Sequence, residues 1–475
     1  MINLSKTKIK TGRIYTKDVE NDRNFLTKSL DGIAKFLELS GHTLLIKGAP
    51  GAGKTTLALQ LLKYFGENNG VYISSRESNE KIASEIPWTK KGLKLSDFKD
   101  LRLSSASKVI QEVLDAQRNR KIRVIVLDTW DGLVKEIEDD KERLKAEKTL
   151  ISLADGSNFR IIFVSEEPNK TTMDYLVDGI IELNRFEDYN RIFREVEMQK
   201  LRGTMIEQHK YLYTLAQGMF KHFVPYIEPD YSTAMKFPPL KDAANGESYS
   251  FGSVHMDNLL GGIPKGSSFA LEYDENVPYS AIRTINIAAS LNALNYGRGV
   301  VMTPLPGASV KQIISLIKPF VSPAAYTNRL RIATSKVIKE EGLPLFPLLP
   351  NEIKKSSDEI DGAVQYVRKN SADRGVMLIE SVSLFENLYA GDLDSVLMRI
   401  ADRVTKIQQQ PNDTLMILMQ DDSPIRSRVL ALCAHYAKLF IRDRSVIIMG
   451  QKPSTVAHVL EHDKNPLLPV LTPIV

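Results

Sequence analysis

The octapeptide Gly48-Ala-Pro-Gly-Ala-Gly-Lys-Thr55 fits the pattern G-x-x-x-x-G-K-[ST] at every position. It follows the apolar run Thr43-Leu-Leu-Ile-Lys47 and leads into a helical pattern from Thr55 to Phe65. In that order of strand, glycine loop and helix, backbone N–H groups converge on a phosphate, with the positive end of the helix dipole behind them. Gly48, Ala49, Pro50, Gly51, Ala52 and Gly53 form the predicted cradle, with Lys54, Thr55 and Thr56 at the helix start. Lys54 is expected to bridge the β- and γ-phosphates and Thr55 to ligate Mg2+, so ATP and Mg2+ are the expected cofactors.

A phosphate loop needs a carboxylate to organise the metal. Asp128 ends the apolar run Arg123 to Leu127, where such an acid belongs; the alternative is a helix cap. Hydrolysis also needs a group that orients water in line with the γ-phosphate. Glu77 follows the run Val71-Tyr-Ile-Ser74 and is the candidate, the alternative being a cap for the helix at Asn79. If the two side chains meet, Arg76 is expected to lower the Glu77 pKa and weaken it as a base, though Glu77 could still orient water without taking its proton. Asp131 reads as a turn residue.

The wider pattern is α/β. Runs at Thr43, Val71, Arg123 and Arg160 alternate with helical segments, which implies parallel pairing through crossovers. Gly179 to Phe186, Ile192 to Arg202 and Lys210 to Val224 read as consecutive strands added antiparallel at one edge. Pro229, Pro238 and Pro239 break regular structure, which places a linker at 228–247 between domains 1–227 and 248–475. Ser268, Gly299, Gly375 and Thr414 open a second series of strand-like runs in similar order, so the chain reads as a domain duplication. A length of 475 residues accommodates this.

Composition narrows the classes. Hydrophobic residues at 43% and charged residues at 25% exclude a disordered or collagen-like chain. No apolar run approaches the ~18–20 residues of a membrane span. Met1 to Arg13 has lysines but no apolar core for a signal peptide, and the one cysteine, Cys433, lies in an apolar stretch where it reads as buried and inert. The expected location is cytoplasmic. A net charge of +5, with the excess in the first half, is too small to argue for nucleic acid. Arg118, Arg120, Lys121 and Arg123 form a local basic cluster, either a solvated loop or a contact for an acidic partner.

These residues resemble the RecA superfamily and, within it, its KaiC-like branch. Val71 to Ile82 is similar to the KaiC-type second strand, with Arg76 in place of the first of two glutamates. Tyr175 to Leu183 resembles the stretch after the sensor strand, and Lys200-Leu-Arg202-Gly-Thr204 the K-x-R-G-T segment. The resemblance implies that Lys200 and Arg202 act catalytically on the γ-phosphate of a neighbouring subunit, in a ring or dimer with nucleotide at the interface. Strand alternation puts Val196, Met198, Lys200 and Arg202 on one face, so the two cations need an acceptor there. An intrachain salt bridge is the alternative.

Phe251 to Ser267 resembles the KaiC/RadA lead-in, but Glu272-Tyr-Asp-Glu-Asn-Val-Pro-Tyr279 replaces the loop. Its three carboxylates would repel phosphate, and Glu380 is read at the metal-acid position. The second half is therefore expected to be a RecA-like pseudo-ATPase domain, which makes the fold tandem RecA-like. One live half and one decayed half resemble the archaeal GvpD-like family, named for gas-vesicle regulation. That resemblance implies an ATP-binding, slowly hydrolysing regulator acting through a protein partner, a transcriptional regulator being one candidate. A DNA-acting RadA-paralogue-like ATPase and a non-hydrolysing ATP-dependent scaffold are the alternatives, and nucleic acid is left open as a partner. His458-Val-Leu-Glu-His462 and Ser105-Ala-Ser-Lys108 match zinc-protease and β-lactamase patterns only in isolation.

Overall fold

A computed structural model describes residues 32–33, 35–39, 41–64, 70–92, 98–101, 106–119, 122–134, 137–155, 159–234, 236–242, 246–335, 342–462 and 465–475. The N-terminal lysines, Ser105, Arg120 and Lys121 lie outside the described residues. Contacts divide the chain into two units. One comprises the described residues through Phe186 together with Arg194–Phe223, the other Glu187–Phe193 together with Val224–Val475. No helix among the described residues is long and apolar enough to cross a membrane.

The first sheet contains β1 (Thr43–Gly48), β2 (Gly70–Ser74), β3 (Phe98–Asp100), β4 (Val124–Asp128), β5 (Arg160–Ser165), β6 (Gly179–Asp188), β7 (Arg191–Leu201), β8 (Lys210–Thr214) and β9 (Lys221–His222), in the order β3-β2-β4-β5-β1-β6-β7-β8-β9. Pairing from β3 through β6 is parallel, and β7 to β9 pair antiparallel. Such strands are buried on both faces, which is why they read as continuous apolar runs. Alternation sends Leu44 and Ile46 to one core with Leu57 and Leu61 of the helix Lys54–Tyr64. Leu45 joins the opposite core, with Val113 from the helix Ala106–Arg118 and Leu150 from the helix Asp140–Ala154. The single strand expected over Lys210 to Val224 is two strands, because the turn Ala216–Gly218, with Gln217 at φ 60°, interrupts the pairing.

The second unit opens with the short pair β10 (Ser248–Tyr249) and β11 (Ile263–Pro264). Its sheet contains β12 (Ser267–Tyr273), β13 (Gly299–Met302), β14 (Leu330–Thr334), β15 (Leu345–Pro347), β16 (Val376–Ser381), β17 (Thr414–Gln420), β18 (His435–Arg442), β19 (Ser445–Lys452), β20 (His458–His462) and β21 (Pro469–Pro473). The order is β15-β14-β13-β16-β17-β12-β18-β19-β20-β21. With β15 set aside, this is the connectivity of the first sheet, strand for strand. Even the two-residue connections correspond. Tyr189 and Asn190 (φ 49° and 55°) join β6 to β7, while Asp443 and Arg444 (φ 47° and 62°) join β18 to β19, the backbone signature of a tight hairpin. Cys433 is buried before β18, and burial pushes its thiol up to about 11.

Candidate functional site

β1 ends at Gly48, where φ is +151° and a Cβ would lie 2.5 Å from the Leu183 carbonyl oxygen. Gly51 and Gly53 follow at φ +77° and +92°, and a Cβ on Gly53 would lie 2.7 Å from the Leu215 side chain. The glycines thus allow both the left-handed turns and the close approach of β6 and of Leu215, just past β8, to the loop. Pro50, Gly51, Gly53, Lys54, Thr55 and Thr56 line a cleft of about 450 Å³. Ala52 is buried behind it, its carbonyl accepting a hydrogen bond from the Tyr213 hydroxyl at 2.5 Å. Lys54 folds over the loop, its Nζ donating to the carbonyls of Gly48 (2.7 Å) and Ala49 (3.0 Å). Burial lowers its pKa, against the raising effect of Glu166 and Asp128.

The two expected metal ligands already meet. Thr55 Oγ1 donates to Asp128 Oδ2 at 2.7 Å, and the Tyr72 hydroxyl donates to the same oxygen. Burial raises the Asp128 carboxyl above its ordinary value, while the hydrogen bonds from Tyr72 and Thr55 and the charge of Lys54 offset part of the rise. The Asp128–Thr129 peptide is cis. A hydroxyl and a carboxylate are hard oxygen donors of the kind Mg2+ takes, so Thr55 and Asp128 would hold the ion. Among the described residues no group of three or more His, Cys, Asp or Glu could hold an ion alone, so phosphate oxygens would have to take part.

Glu77 lies in the wall of the cleft, its N–H donating to Ser74 Oγ at 3.0 Å. The helix Asn79–Glu85 is capped by Ser78, which leaves Glu77 free of the capping role. Its carboxylate accepts from Lys81 Nζ at 2.7 Å. Arg76 turns away from Glu77 and pairs with Glu166, which also lies 3.6 Å from Lys54 Nζ. Sequence reasoning missed Glu166. It is the first residue beyond β5, and Ser165 pairs with Lys47 of the phosphate-loop strand, so strand order alone would have found it. Asp131 does more than turn the chain. It accepts from Ser165 Oγ (2.9 Å) and from the Glu166 N–H (2.5 Å), fixing the end of β5 at the cleft.

Lys200 and Arg202 lie elsewhere. Lys200 Nζ donates to the Val177 carbonyl at 2.5 Å, and Arg202 Nη1 to Asp178 at 2.7 Å. Asp178 in turn accepts from the backbone N–H (3.1 Å) and Oγ1 (2.9 Å) of Thr43. Thr43 opens β1 and Gly48 closes it, so the two cations sit about 16 Å from their own phosphate loop at ~3.3 Å per residue. The cation that β7 does bring to the loop is Arg194, which donates to the Gly51 carbonyl at 2.9 Å. No local motif marks it.

In the second unit the interval from Tyr273, the end of β12, to Tyr279, the first helical residue, equals that from Gly48 to Lys54. Tyr279 and Ser280 therefore occupy the positions of Lys54 and Thr55. Pairing corrects the reading of Glu380. Val164 pairs with Ile46 and Asp128, and its counterpart Leu418 pairs with Leu271 and Ser381. Ser381 is thus the counterpart of Asp128, and Glu380 is one residue short, which sends its side chain to the opposite face. There it is buried against Arg399 (2.7 and 3.0 Å) and Arg403 (3.4 Å). Burial alone would raise its carboxyl, yet the two guanidinium groups hold it below the ordinary value. The carboxylates that replace the loop are not a bare negative cluster, since two of them are neutralised by cations. Glu272 is buried against Arg426 (2.8 Å) and Lys438 (3.1 Å), and Asp274 pairs with Lys438 at 2.9 Å. The half lacks the glycine turns, the lysine and the metal acid rather than being overloaded with negative charge.

Residues 33–199 match the family described as GvpD gas vesicle protein, P-loop domain. Protein GvpD2 of Halobacterium salinarum is 22% identical over 477 residues, covering 91% of this chain and 93% of the relative. Protein GvpD1 of the same organism is 26% identical over 295 residues, 57% of this chain and 54% of the relative, so that match spans about half the length of each.

Proposed function

We propose that this GvpD-like P-loop protein binds one Mg-ATP per chain, hydrolyses it slowly, and uses its nucleotide state to set the affinity of its second half for a protein partner in gas-vesicle regulation. The Thr55–Asp128 contact of 2.7 Å beside the glycine loop carries the reading, because it supplies a metal anchor at the place where the γ-phosphate would lie. On binding, Lys54 would exchange the carbonyls of Gly48 and Ala49 for phosphate oxygens. Tyr72 would keep Asp128 in its ionised form by donating to it. Glu77 would release Lys81 and orient water. Bound Mg2+ would neutralise charge between the phosphates.

Native mass spectrometry with ATP and Mg2+ tests this. One nucleotide per chain is expected, and none with Lys54→Ala. Two per chain would mean that the second half is live. The Glu77–Lys81 pair favours a second reading, in which Glu77 stays occupied and ATP serves only as a structural ligand. Turnover below that of free ATP, with binding intact, would select it. The partner claim is checked by capture from the native organism with ATP or ADP. A coupling of ~1–3 kcal/mol, about 5–150-fold in affinity, is the expected scale.

A further inference from the structure

The cleft beside the glycine loop carries more acid than base. Its lining has the carboxylates of Glu77, Glu85, Asp128 and Glu166 against the cations Lys54 and Arg76. Three of the acids have other partners. Glu77 and Glu85 face Lys81, at 2.7 and 3.8 Å, and Asp128 accepts from Thr55 and Tyr72. Glu166 is the acid that takes both cations: it pairs with Arg76 and lies 3.6 Å from Lys54 Nζ. Burial lowers the Lys54 pKa, and the charge of Glu166 is the first to oppose that fall, ahead of Asp128. Glu166 is thus the chief counter-charge of Lys54 in the resting site.

The chain that bears this carboxylate is pinned. The Glu166 N–H donates to Asp131 Oδ2 at 2.5 Å, Ser165 Oγ donates to Asp131 Oδ1 at 2.9 Å, and the Glu167 N–H donates to Ser165 Oγ at 3.1 Å. Glu166 can therefore leave the cations only by turning its own side chain. A phosphate-loop lysine serves the β- and γ-phosphates. With Lys54 where it stands, a γ-phosphate oxygen within hydrogen-bond reach of Nζ lies no more than about 6 Å from Glu166 Oε1. That is inside the ~8–10 Å over which physiological salt screens charges, so the two anions repel. A diphosphate ends at the backbone cradle and leaves Glu166 and Arg76 as they are.

We propose that Glu166 sets the choice between nucleoside triphosphate and diphosphate: it occupies Lys54 and Arg76 on the γ-phosphate side of the loop, so ATP must displace it from both and ADP need not. The inference rests on the reading of this cleft as a nucleotide site. The resting arrangement favours ADP, and Arg76, once released, becomes a second cation for the γ-phosphate. If the released arrangement is populated about one part in ten, ATP binds about tenfold more weakly than its contacts allow.

Calorimetric titration of the full chain with Mg2+ and either ADP or the non-hydrolysable β,γ-imido analogue of ATP gives the ratio of the two dissociation constants. Glu166→Gln keeps the volume and removes the charge. It should tighten the triphosphate analogue about tenfold and change ADP by less than about twofold. Arg76→Ala removes the released cation and keeps the carboxylate, so it should weaken the analogue about fivefold more than it weakens ADP. An ion pair that only braces the fold would lower the melting temperature of both variants and leave the ratio where it was. A ratio within about twofold of wild type in Glu166→Gln, in protein that binds both nucleotides, overturns the inference and leaves the nucleotide reading standing. So does Arg76→Ala failing to move the ratio toward ADP. Wild-type protein that binds neither nucleotide overturns the nucleotide reading, and this inference with it.

Discussion

Asp128 must be buried for packing and ionised for metal, and these demands conflict. Burial holds its carboxyl above the ordinary value despite Tyr72 and Thr55. A carboxyl whose folded pKa exceeds its unfolded one leaves the fold unpenalised below the unfolded value. The penalty grows as pH rises from the unfolded value to the folded one and is constant above it. Asp128→Asn should therefore raise the melting temperature of the metal-free protein at pH 7.5 by roughly 1–3 °C, and the gap should close as pH falls toward ~4. Calorimetry across pH checks it; a lower melting temperature for the variant at pH 7.5 contradicts the account. The same variant should lose Mg2+-dependent nucleotide affinity. Glu77→Gln makes the complementary prediction, since it keeps the volume but removes the carboxylate. Binding should persist while turnover falls ~10²-fold or more, measured by phosphate release at saturating ATP. Lys54, Thr55 and Asp128 were legible in the sequence because a contiguous loop and one strand end define them. Glu166 and Arg194 were not, because each reaches the cleft only through strand order, β5 beside β1 and β7 running back along β6.

The phosphate loop, taken as an element, shows that its glycines are not equivalent. Alanine at Gly51 meets open space and costs only the strain of a left-handed backbone, ~1–3 kcal/mol. Alanine at Gly48 adds a contact of 2.5 Å with the Leu183 carbonyl, which belongs to β6 and cannot turn aside. At Gly53 the obstacle is the Leu215 side chain, which can rotate. Urea unfolding should therefore rank Gly48→Ala as the most destabilising of the three, with Gly51→Ala the mildest. Gly51→Ala losing more stability than Gly48→Ala would place the constraint elsewhere. The strands themselves were largely readable, since burial on both faces leaves runs such as Val124–Asp128 without polar interruption. Segments with weak patterning were not. β3 has three residues, and β8 and β9 merged into one reading because β9 has only two residues and the short turn Ala216–Gly218 between them carries a single glycine as its signal.

At the scale of the whole molecule, the recurring strand order explains why the lead-in Phe251 to Ser267 could be recognised while the metal-acid position was misassigned by one residue. Spacing along the chain preserves order, but only pairing fixes register, and one residue inverts the face. The same consideration governs Lys200 and Arg202. They sit at the opening end of β1, away from their own loop, where Asp178 and the Val177 carbonyl hold them. If this end meets the phosphate loop of a second copy, turnover per chain should rise with protein concentration as assemblies form. Arg202→Ala chains keep an intact loop, and Lys54→Ala chains keep an intact Arg202. Each alone should be inactive, yet a mixture forms interfaces that pair one good loop with one good arginine, so part of the activity should return. The mixture is to be checked for joint assembly by native mass spectrometry with one variant isotopically heavy. Without recovery in assemblies shown to be mixed, Arg202 remains a partner of Asp178 that braces the start of β6 against Thr43. In that case Arg202→Ala should lower stability and leave turnover per folded chain unchanged.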